Sequence, residues 1–168
     1  RRRRPRRARA MADADAGMVP FNGPDGPAHV QHVFPAGSGP VRRTLLALRD
    51  WLGQRPVPGT DPALAELVLA EVLNNVVEHA CAEAPGRIIA VELWSGPAGL
   101  YCRVSDDGLP MPGTCPPARP LPEPRILPEG GFGWPLIHQL TEDLRYSRAQ
   151  GINVLSFRVR PRVAAPAG

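Results

Sequence analysis

A glutamate, an asparagine and a histidine recur at every fourth position of one stretch, at Glu71, Asn75 and His79. On a helix, residues four apart lie on the same side, one turn above another. A carboxylate there can accept a proton from an attacking hydroxyl, and the carboxamide one turn away can offer an oxygen to a hydrated Mg²⁺ ion. The alternative is a solvated polar face, which is common on surface helices. This stretch alone leaves both interpretations open.

Two further stretches combine glycine with groups that can bind a nucleotide. Asp106 can accept a hydrogen bond from an exocyclic amine, which favours adenine because guanine presents a carbonyl at that position. Gly108 lets the backbone pass close to a base, and Gly131 and Gly133 let backbone N–H groups approach phosphates at a helix start. Either motif alone is more often a turn. The informative feature is the order of the three stretches along one chain.

The elements that must position these residues follow from apolar periodicity and from turn residues. In chain order the sequence predicts a strand at 29–34, helices at 41–52 and 62–82, strands at 87–94 and 100–105, a glycine-rich entry to a helix at 129–140, and strands at 143–147 and 152–160. We therefore expect an α/β (α+β) two-layer sandwich, with a mainly antiparallel mixed sheet and helices on one face. Residues 109–129 contain eight prolines, which suits a lid or binding loop.

The helix that carries Glu71 has a predicted start and a predicted buried face. Asp61 is suited to the N-cap position, with Pro62 in the first helical turn. The apolar residues at helical spacing are Leu64, Leu67, Val68, Val72 and Val76. This stripe predicts which side of the helix meets the core, and it places the polar residues at the edge of that core.

Charge and cysteine content narrow the classes of protein that the chain can represent. Arg1 to Arg9 hold seven arginines, so the net charge of +4 becomes −3 without them (13 basic against 16 acidic residues), and no nucleic-acid binding is inferred. All twenty basic residues are arginine, which excludes a lysine-dependent phosphate loop. Three widely spaced cysteines predict free thiols in the cytoplasm. No apolar stretch reaches membrane-spanning length, and no secretory signal is visible.

The expected domain organisation is one domain between two disordered ends. We expect disorder at residues 1–28 and 161–168, and a single domain at residues 29–160. The basic residues at the start can be an arm for an acidic surface, a solvated tail, or a segment that precedes a natural start at Met11. The third interpretation is favoured.

Taken together, the three stretches resemble the ATP-binding fold shared by gyrase-type ATPases, one class of heat-shock chaperones, sensor histidine kinases and MutL-type repair proteins (the Bergerat fold). Residues 71–80 resemble its N box, residues 104–110 its first glycine box and residues 130–137 its second. Within this superfamily the chain most resembles the small serine kinases of the RsbW type that act as anti-sigma factors. The resemblance covers residues 30–159, although Pro110 stands where many relatives have glycine.

The resemblance implies roles that the residues alone do not establish. It implies that Asn75 ligates Mg²⁺, that Glu71 is the general base, and that Asp106 contacts adenine. The remaining nucleotide contacts that it implies are His79, Gly108, Gly131, Phe132, Gly133 and Leu136.

The resemblance also implies a reaction and partners. ATP with Mg²⁺ would serve to phosphorylate a serine of an anti-anti-sigma protein of the STAS type, and the free kinase would bind a sigma factor. A homodimer without direct contact to nucleic acid or membrane is expected. Two alternatives remain: an ATP-binding partner switch with little or no kinase activity, and the catalytic domain of a histidine kinase. The chain offers no long dimerising helix with a phospho-accepting histidine, which argues against the second.

Overall fold

The computed structural model of the chain describes residues 28–55, 57–81, 86–114, 116–117 and 133–161. The predictions of disorder at residues 1–27 and 162–168 lie outside these ranges, as do most of the predicted loop at 109–129, Gly131, Phe132 and the thiol of Cys115. The roles predicted for these residues therefore stay predictions.

Eight regular elements form the described fold, and their order along the chain agrees with the sequence-based expectation. They are β1 (Ala28–Pro35), α1 (Ser38–Gln54), α2 (Pro62–Asn75), β2 (Ile88–Gly96), β3 (Gly99–Asp106), α3 (Gly133–Leu140), β4 (Thr141–Ala149) and β5 (Ile152–Val159). The five strands form one sheet in the order β1-β2-β3-β5-β4, and all four pairings are antiparallel. The predicted fold class is thereby confirmed.

The core lies between the sheet and a layer of helices on one of its faces. Alternate residues of the central strands, such as Val91, Val104 and Phe157, cluster with the buried side chains of the helices, such as Leu48 and Leu69. Helix α2 packs against both α1 and α3. Because alternate side chains of a strand point to opposite faces, one face of the sheet packs against the helices and the other does not.

Helix α2 begins as predicted, and Val68 and Val72 of its predicted stripe are buried. The side chain of Asp61 accepts a hydrogen bond of 2.9 Å from the backbone N of Ala63, and Pro62 occupies the first helical position. The buried residues are Ala65, Val68, Leu69, Val72 and Leu73. Leu67 of the predicted stripe is 40% exposed, so that assignment was wrong. The helix is apolar on most sides, and its packing against α1 and α3 selects the buried one.

The opposite face of the sheet carries buried charge. Arg103 on β3 lies across from Glu92 on β2, with 2.6 Å between a guanidinium nitrogen and a carboxylate oxygen, and both side chains are almost fully buried. The Arg103 guanidinium also lies over the ring of Trp94. Such a paired charge is tolerated because its hydrogen-bonding groups are satisfied. Among the described helices, none is both long and apolar enough to cross a membrane.

Candidate functional site

The first part of the candidate site lies where β3 ends, at Asp106 and Gly108. The Gly108 backbone N donates to Oδ1 of Asp106 at 2.8 Å. A Cβ atom at Gly108 would stand 2.3 Å from the carbonyl oxygen of Ala80, which is closer than real contacts permit. The next residue, Leu109, donates its backbone N to the same carbonyl at 2.8 Å. Only glycine allows this close approach of two backbones. The predicted approach of Gly108 to a base stays a prediction.

Three side chains of the β4–β5 hairpin complete this part of the site, and sequence reasoning missed all of them. Asn153 on β5 donates from Nδ2 to Oδ1 of Asp106 at 2.7 Å. Tyr146 and Arg148 on β4 both donate to Oδ1 of Asn153. One signal was available: Asn153 shares its strand parity with buried Leu155, so an amide stood on the apolar face of a predicted strand.

The carboxylate of Asp106 is held so that one oxygen is occupied and the other is not. Burial raises the pKa of Asp106, while the hydrogen bonds from Asn153 and Gly108 and the positive charge of Arg148 oppose that rise. Both hydrogen bonds go to Oδ1. Among the described residues, no donor reaches Oδ2. The free oxygen of an ionised carboxylate is an acceptor suited to an exocyclic amine.

The second part of the candidate site lies where α3 begins, above the middle of α2. A Cβ atom at Gly133 would stand 2.9 Å from Oε2 of Glu71 and 3.3 Å from Nδ2 of Asn75. The structure thus brings together three predicted site residues, a carboxylate, a carboxamide and the glycine that opens a helix. Because glycine lacks a side chain, the backbone of Gly133 lies this close without displacing Glu71 or Asn75.

The groups of this second part suit a phosphate and Mg²⁺. Nδ2 of Asn75 is buried and has no hydrogen-bond partner, a state that costs free energy unless a ligand or rearrangement satisfies it. Backbone N–H groups at a helix start favour a phosphate. No cluster of three or more His, Cys, Asp or Glu residues that could hold a metal occurs in the described part of the chain.

The two parts of the site lie on the same helical segment. After Asn75 the chain continues as a π-helical turn, Val76–Ala80, in which the backbone N of Cys81 donates to the carbonyl of Val76 at 2.9 Å. Gly133 contacts Asn75, and Gly108 contacts Ala80 five residues later. Five residues span roughly 7 Å of helix, so Gly133 and Gly108 contact points about that far apart along one helical segment.

His79 lies in the π turn that follows Asn75. The sequence placed it on one side with Glu71 and Asn75, and no contact to either residue tests that placement. Its side chain is exposed and makes no hydrogen bond with the described residues. Its nucleotide contact stays a prediction. Leu136 is partly buried on α3, beside fully buried Ile137, and its predicted contact is likewise untested.

Asp107 anchors the chain as it leaves β3. Its Oδ1 accepts from the backbone N of Ile88 at 2.9 Å, and its carbonyl accepts from the Arg87 guanidinium. Nearby, burial together with the negative charges of Asp106 and Asp107 raises the pKa of Cys81 to about 11. A thiol with this pKa stays protonated at neutral pH and is a poor nucleophile. Cys81 is therefore no candidate for covalent catalysis.

The fold, with the close approaches at Gly108 and Gly133, corresponds to a known family of protein domains. The family model of the histidine kinase-like ATPase domain matches residues 34–159. The match covers well over half of the chain, so the chain belongs to this family. The resemblance drawn from the three stretches is thereby confirmed at the level of the family and its fold.

A solved structure shares this fold: the RsbU and RsbW domains of Rv1364c from Mycobacterium tuberculosis. The similarity has a TM-score of 0.53 at 19% sequence identity and covers 82% of this chain. The chain spans about a third of that chain's length, with 34% covered. At this identity the likeness establishes the fold alone. A comparison with curated proteins found no match.

Proposed function

We propose that this chain is an ATP-dependent protein serine kinase that also acts as an anti-sigma factor. The observation that carries the proposal is the close contact of Gly133 with Glu71 and Asn75. A Cβ atom at Gly133 would stand 2.9 Å from Oε2 of Glu71. This arrangement brings a carboxylate, a carboxamide and a helix start together, which supports roles for them as general base, metal ligand and phosphate site. A phosphate placed there would meet all three.

Each of the described site residues takes one role in nucleotide binding. Oδ2 of Asp106 accepts the exocyclic amine of adenine, and Gly108 lets the backbone lie against the base. The start of α3 at Gly133 binds phosphate through backbone N–H groups. The carboxamide of Asn75 would hold Mg²⁺, which supplies neutralisation of phosphate charge when it is bound.

Glu71 accounts for the chemistry that a binding protein would lack. The serine oxygen of the partner forms a bond to the γ-phosphorus, and the bond from that phosphorus to the bridging oxygen of ADP breaks. The serine proton passes to the carboxylate of Glu71, within hydrogen-bonding reach of the attacking oxygen. Glu71 is only partly buried, so a partner hydroxyl can approach it.

The partners in this proposal are a sigma factor and an anti-anti-sigma protein of the STAS type, and the kinase is a cytoplasmic homodimer. The resemblance to RsbW-type kinases supports them, as does the fold shared with a structure that contains an RsbW domain. The second candidate function is a partner switch that binds ATP without phosphate transfer. The position of Glu71 beside Asn75 favours the kinase, since a switch needs no base.

Binding and transfer are tested separately. Titration calorimetry with ADP and Mg²⁺ should show binding that Asp106→Asn weakens, and the exposed Asp143→Asn should leave it unchanged. Labelled ATP should then transfer phosphate to a STAS-type protein encoded nearby, and a serine-to-alanine variant of that protein should accept none. Absence of nucleotide binding would refute the whole proposal. Binding without transfer to any partner, combined with ATP-dependent partner affinity, would favour the switch.

A further inference from the structure

The β4–β5 hairpin aims three polar side chains at the end of β3. Tyr146 and Arg148 are two residues apart on β4, and Arg148 pairs with Asn153 across the hairpin, so all three share one face. The Tyr146 hydroxyl donates to Oδ1 of Asn153 at 2.7 Å, and the Arg148 guanidinium donates to the same oxygen. Nδ2 of Asn153 donates to Oδ1 of Asp106 at 2.7 Å.

The partners of Asn153 settle the orientation of its amide. A guanidinium has no acceptor atom, so the amide atom that faces Arg148 must be the oxygen. The NH₂ group must then face the opposite way, toward the carboxylate of Asp106. Tyr146 and Arg148 therefore determine that Asn153 presents a donor, and not an acceptor, to Asp106.

The same side chains also hold the root of the loop that follows β3, which we define as residues 108–111. The Arg148 guanidinium donates to the carbonyl of Gly108 at 3.1 Å, and Nδ2 of Asn153 donates to the carbonyl of Leu109 at 2.8 Å. The Tyr146 hydroxyl accepts from the backbone N of Met111 at 3.0 Å. That hydroxyl thus uses its single proton toward Asn153 and a lone pair toward Met111, which is its ordinary capacity.

We propose that Tyr146 and Arg148 act through Asn153 as positioning residues that set which oxygen of Asp106 reads the base. The inference rests on the proposed nucleotide site and goes beyond it, because it assigns base specificity to a hairpin that does not touch the base. Two donors hold Oδ1, and Oδ2 is left toward the ligand. Without them the carboxylate can rotate or take up a proton, and its preference for an amine over a carbonyl falls.

A hydroxyl deletion tests the proposal with little risk to the fold. Tyr146→Phe removes the bonds to Asn153 and to Met111 and keeps the ring in its partly buried place. Tyr101→Phe is the matched control, since Tyr101 lies in the same sheet, on the face opposite to the helices. Affinities for ADP and for IDP, whose base carries a carbonyl in place of the amine, are measured by titration calorimetry in the presence of Mg²⁺.

Wild type should prefer ADP over IDP by roughly tenfold or more, the worth of one charge-assisted hydrogen bond. Tyr146→Phe should lower the affinity for ADP about threefold to tenfold and change the affinity for IDP little. The ratio of the two affinities should therefore fall. Asn153→Ala should narrow it further, and Tyr101→Phe should keep it. In the absence of nucleotide, the Met111 amide should exchange hydrogen faster in Tyr146→Phe than in wild type.

Three outcomes would overturn the inference. A wild-type ADP-to-IDP ratio retained in both Tyr146→Phe and Asn153→Ala would show that the hairpin does not set base specificity. An equal loss of ADP and IDP affinity, with a lower melting temperature, would assign the hairpin a purely structural role. If wild type binds neither nucleotide, the proposed function fails and this inference fails with it. The first two outcomes leave the proposed function intact.

Discussion

The two parts of the candidate site differ in how completely their polar groups are paired. Around Asp106, Oδ1 receives two donors, and Asn153 makes hydrogen bonds through both atoms of its amide. Around Glu71 and Asn75 the described residues supply close contact with Gly133 but leave Nδ2 of Asn75 buried without a partner. The part around Asp106 and Asn153, the base end of the proposed nucleotide site, is therefore organised before any ligand binds. The part around Glu71, Asn75 and Gly133, its phosphate end, still holds an amide group without a hydrogen-bond partner.

This difference indicates how the binding free energy is divided. A preorganised acceptor loses little conformational freedom on binding, so it serves selection of the base. An unpaired polar group regains its lost hydrogen bond only when a ligand arrives or the neighbours rearrange. We therefore expect substitutions at the base end to change affinity and stability together. Substitutions at the phosphate end should change the chemistry and the metal dependence and leave the fold nearly unaltered.

The largest effect is expected at the phosphate end, for Glu71→Gln. The variant keeps the size of the side chain but removes the proton acceptor, and general-base catalysis is worth roughly 10²- to 10⁴-fold in rate. Phosphate transfer to the partner serine should fall by that factor, while ADP affinity stays within about twofold, because the base end is untouched. The exposed Glu78→Gln is the control. Transfer at the wild-type rate in Glu71→Gln would remove Glu71 from the mechanism.

The next largest effect is expected at the base end, for Gly108→Ala. The new methyl group would overlap the carbonyl of Ala80 at 2.3 Å, and that carbonyl is backbone, so it cannot rotate away. Overpacking of this kind costs about 1–3 kcal/mol, so the free energy of unfolding and the ADP affinity should fall together. Gly53→Ala on α1, where nothing lies within 4 Å, should be neutral or slightly stabilising. Chemical denaturation and calorimetry measure both quantities.

Acidification should act on the base end through Asp106, with opposite signs for binding and stability. The pKa of Asp106 is raised, chiefly by burial. As the pH is lowered, ADP affinity should therefore begin to fall before the pH reaches about 4, the usual pKa range of aspartate. In the window between the unfolded and folded pKa values, the folded state binds more protons. The contribution of Asp106 to stability of the free protein therefore grows as pH falls through that window. Asp106→Asn should abolish both dependences.

For Asn75→Ala we expect the ADP affinity in the presence of Mg²⁺ to fall about tenfold, which corresponds to the loss of one ligand oxygen. The extra thermal stabilisation that Mg²⁺ adds to ADP should disappear, because the proposed ligand is gone, while stabilisation by ADP alone persists. Asn74→Ala is the matched control, since Asn74 is the preceding residue of the same helix and is exposed. An undiminished Mg²⁺ effect in Asn75→Ala would contradict the assignment of Asn75 as the metal ligand.

The sequence predicted some local features of the chain. Asp61 caps its helix as expected. Gly108 and Gly133 each lie in a close approach, to protein groups, whereas their predicted contacts with a base and a phosphate stay predictions. A close backbone approach requires glycine whatever surrounds it. These are the positions where the local signal and the tertiary structure agree.

What the sequence did not reveal depends on distant contacts. Asp106 and Asn153 are 47 residues apart along the chain, and nothing local to Tyr146 or Arg148 indicates that they meet there. The π turn was missed for the same reason, since the carbonyl of Ala80 is engaged by Leu109 from another part of the chain. On α2 the choice between Leu67 and Leu69 was undetermined, because the two residues are alike in sequence and only packing distinguishes them.

The smallest effect is expected for Gly133→Ala, and it sharpens the comparison between the two glycines. The new methyl group would stand 2.9 Å from Oε2 of Glu71 and 3.3 Å from Nδ2 of Asn75, both at the ends of side chains that can move. Stability should therefore change by less than about 1 kcal/mol, in contrast to Gly108→Ala. Displacement of the Glu71 carboxylate should instead slow phosphate transfer, by about threefold to tenfold, because catalytic groups tolerate little misplacement. Equal loss of stability in the two alanine variants, measured by chemical denaturation, would show that both ends are equally rigid and would end the distinction between them.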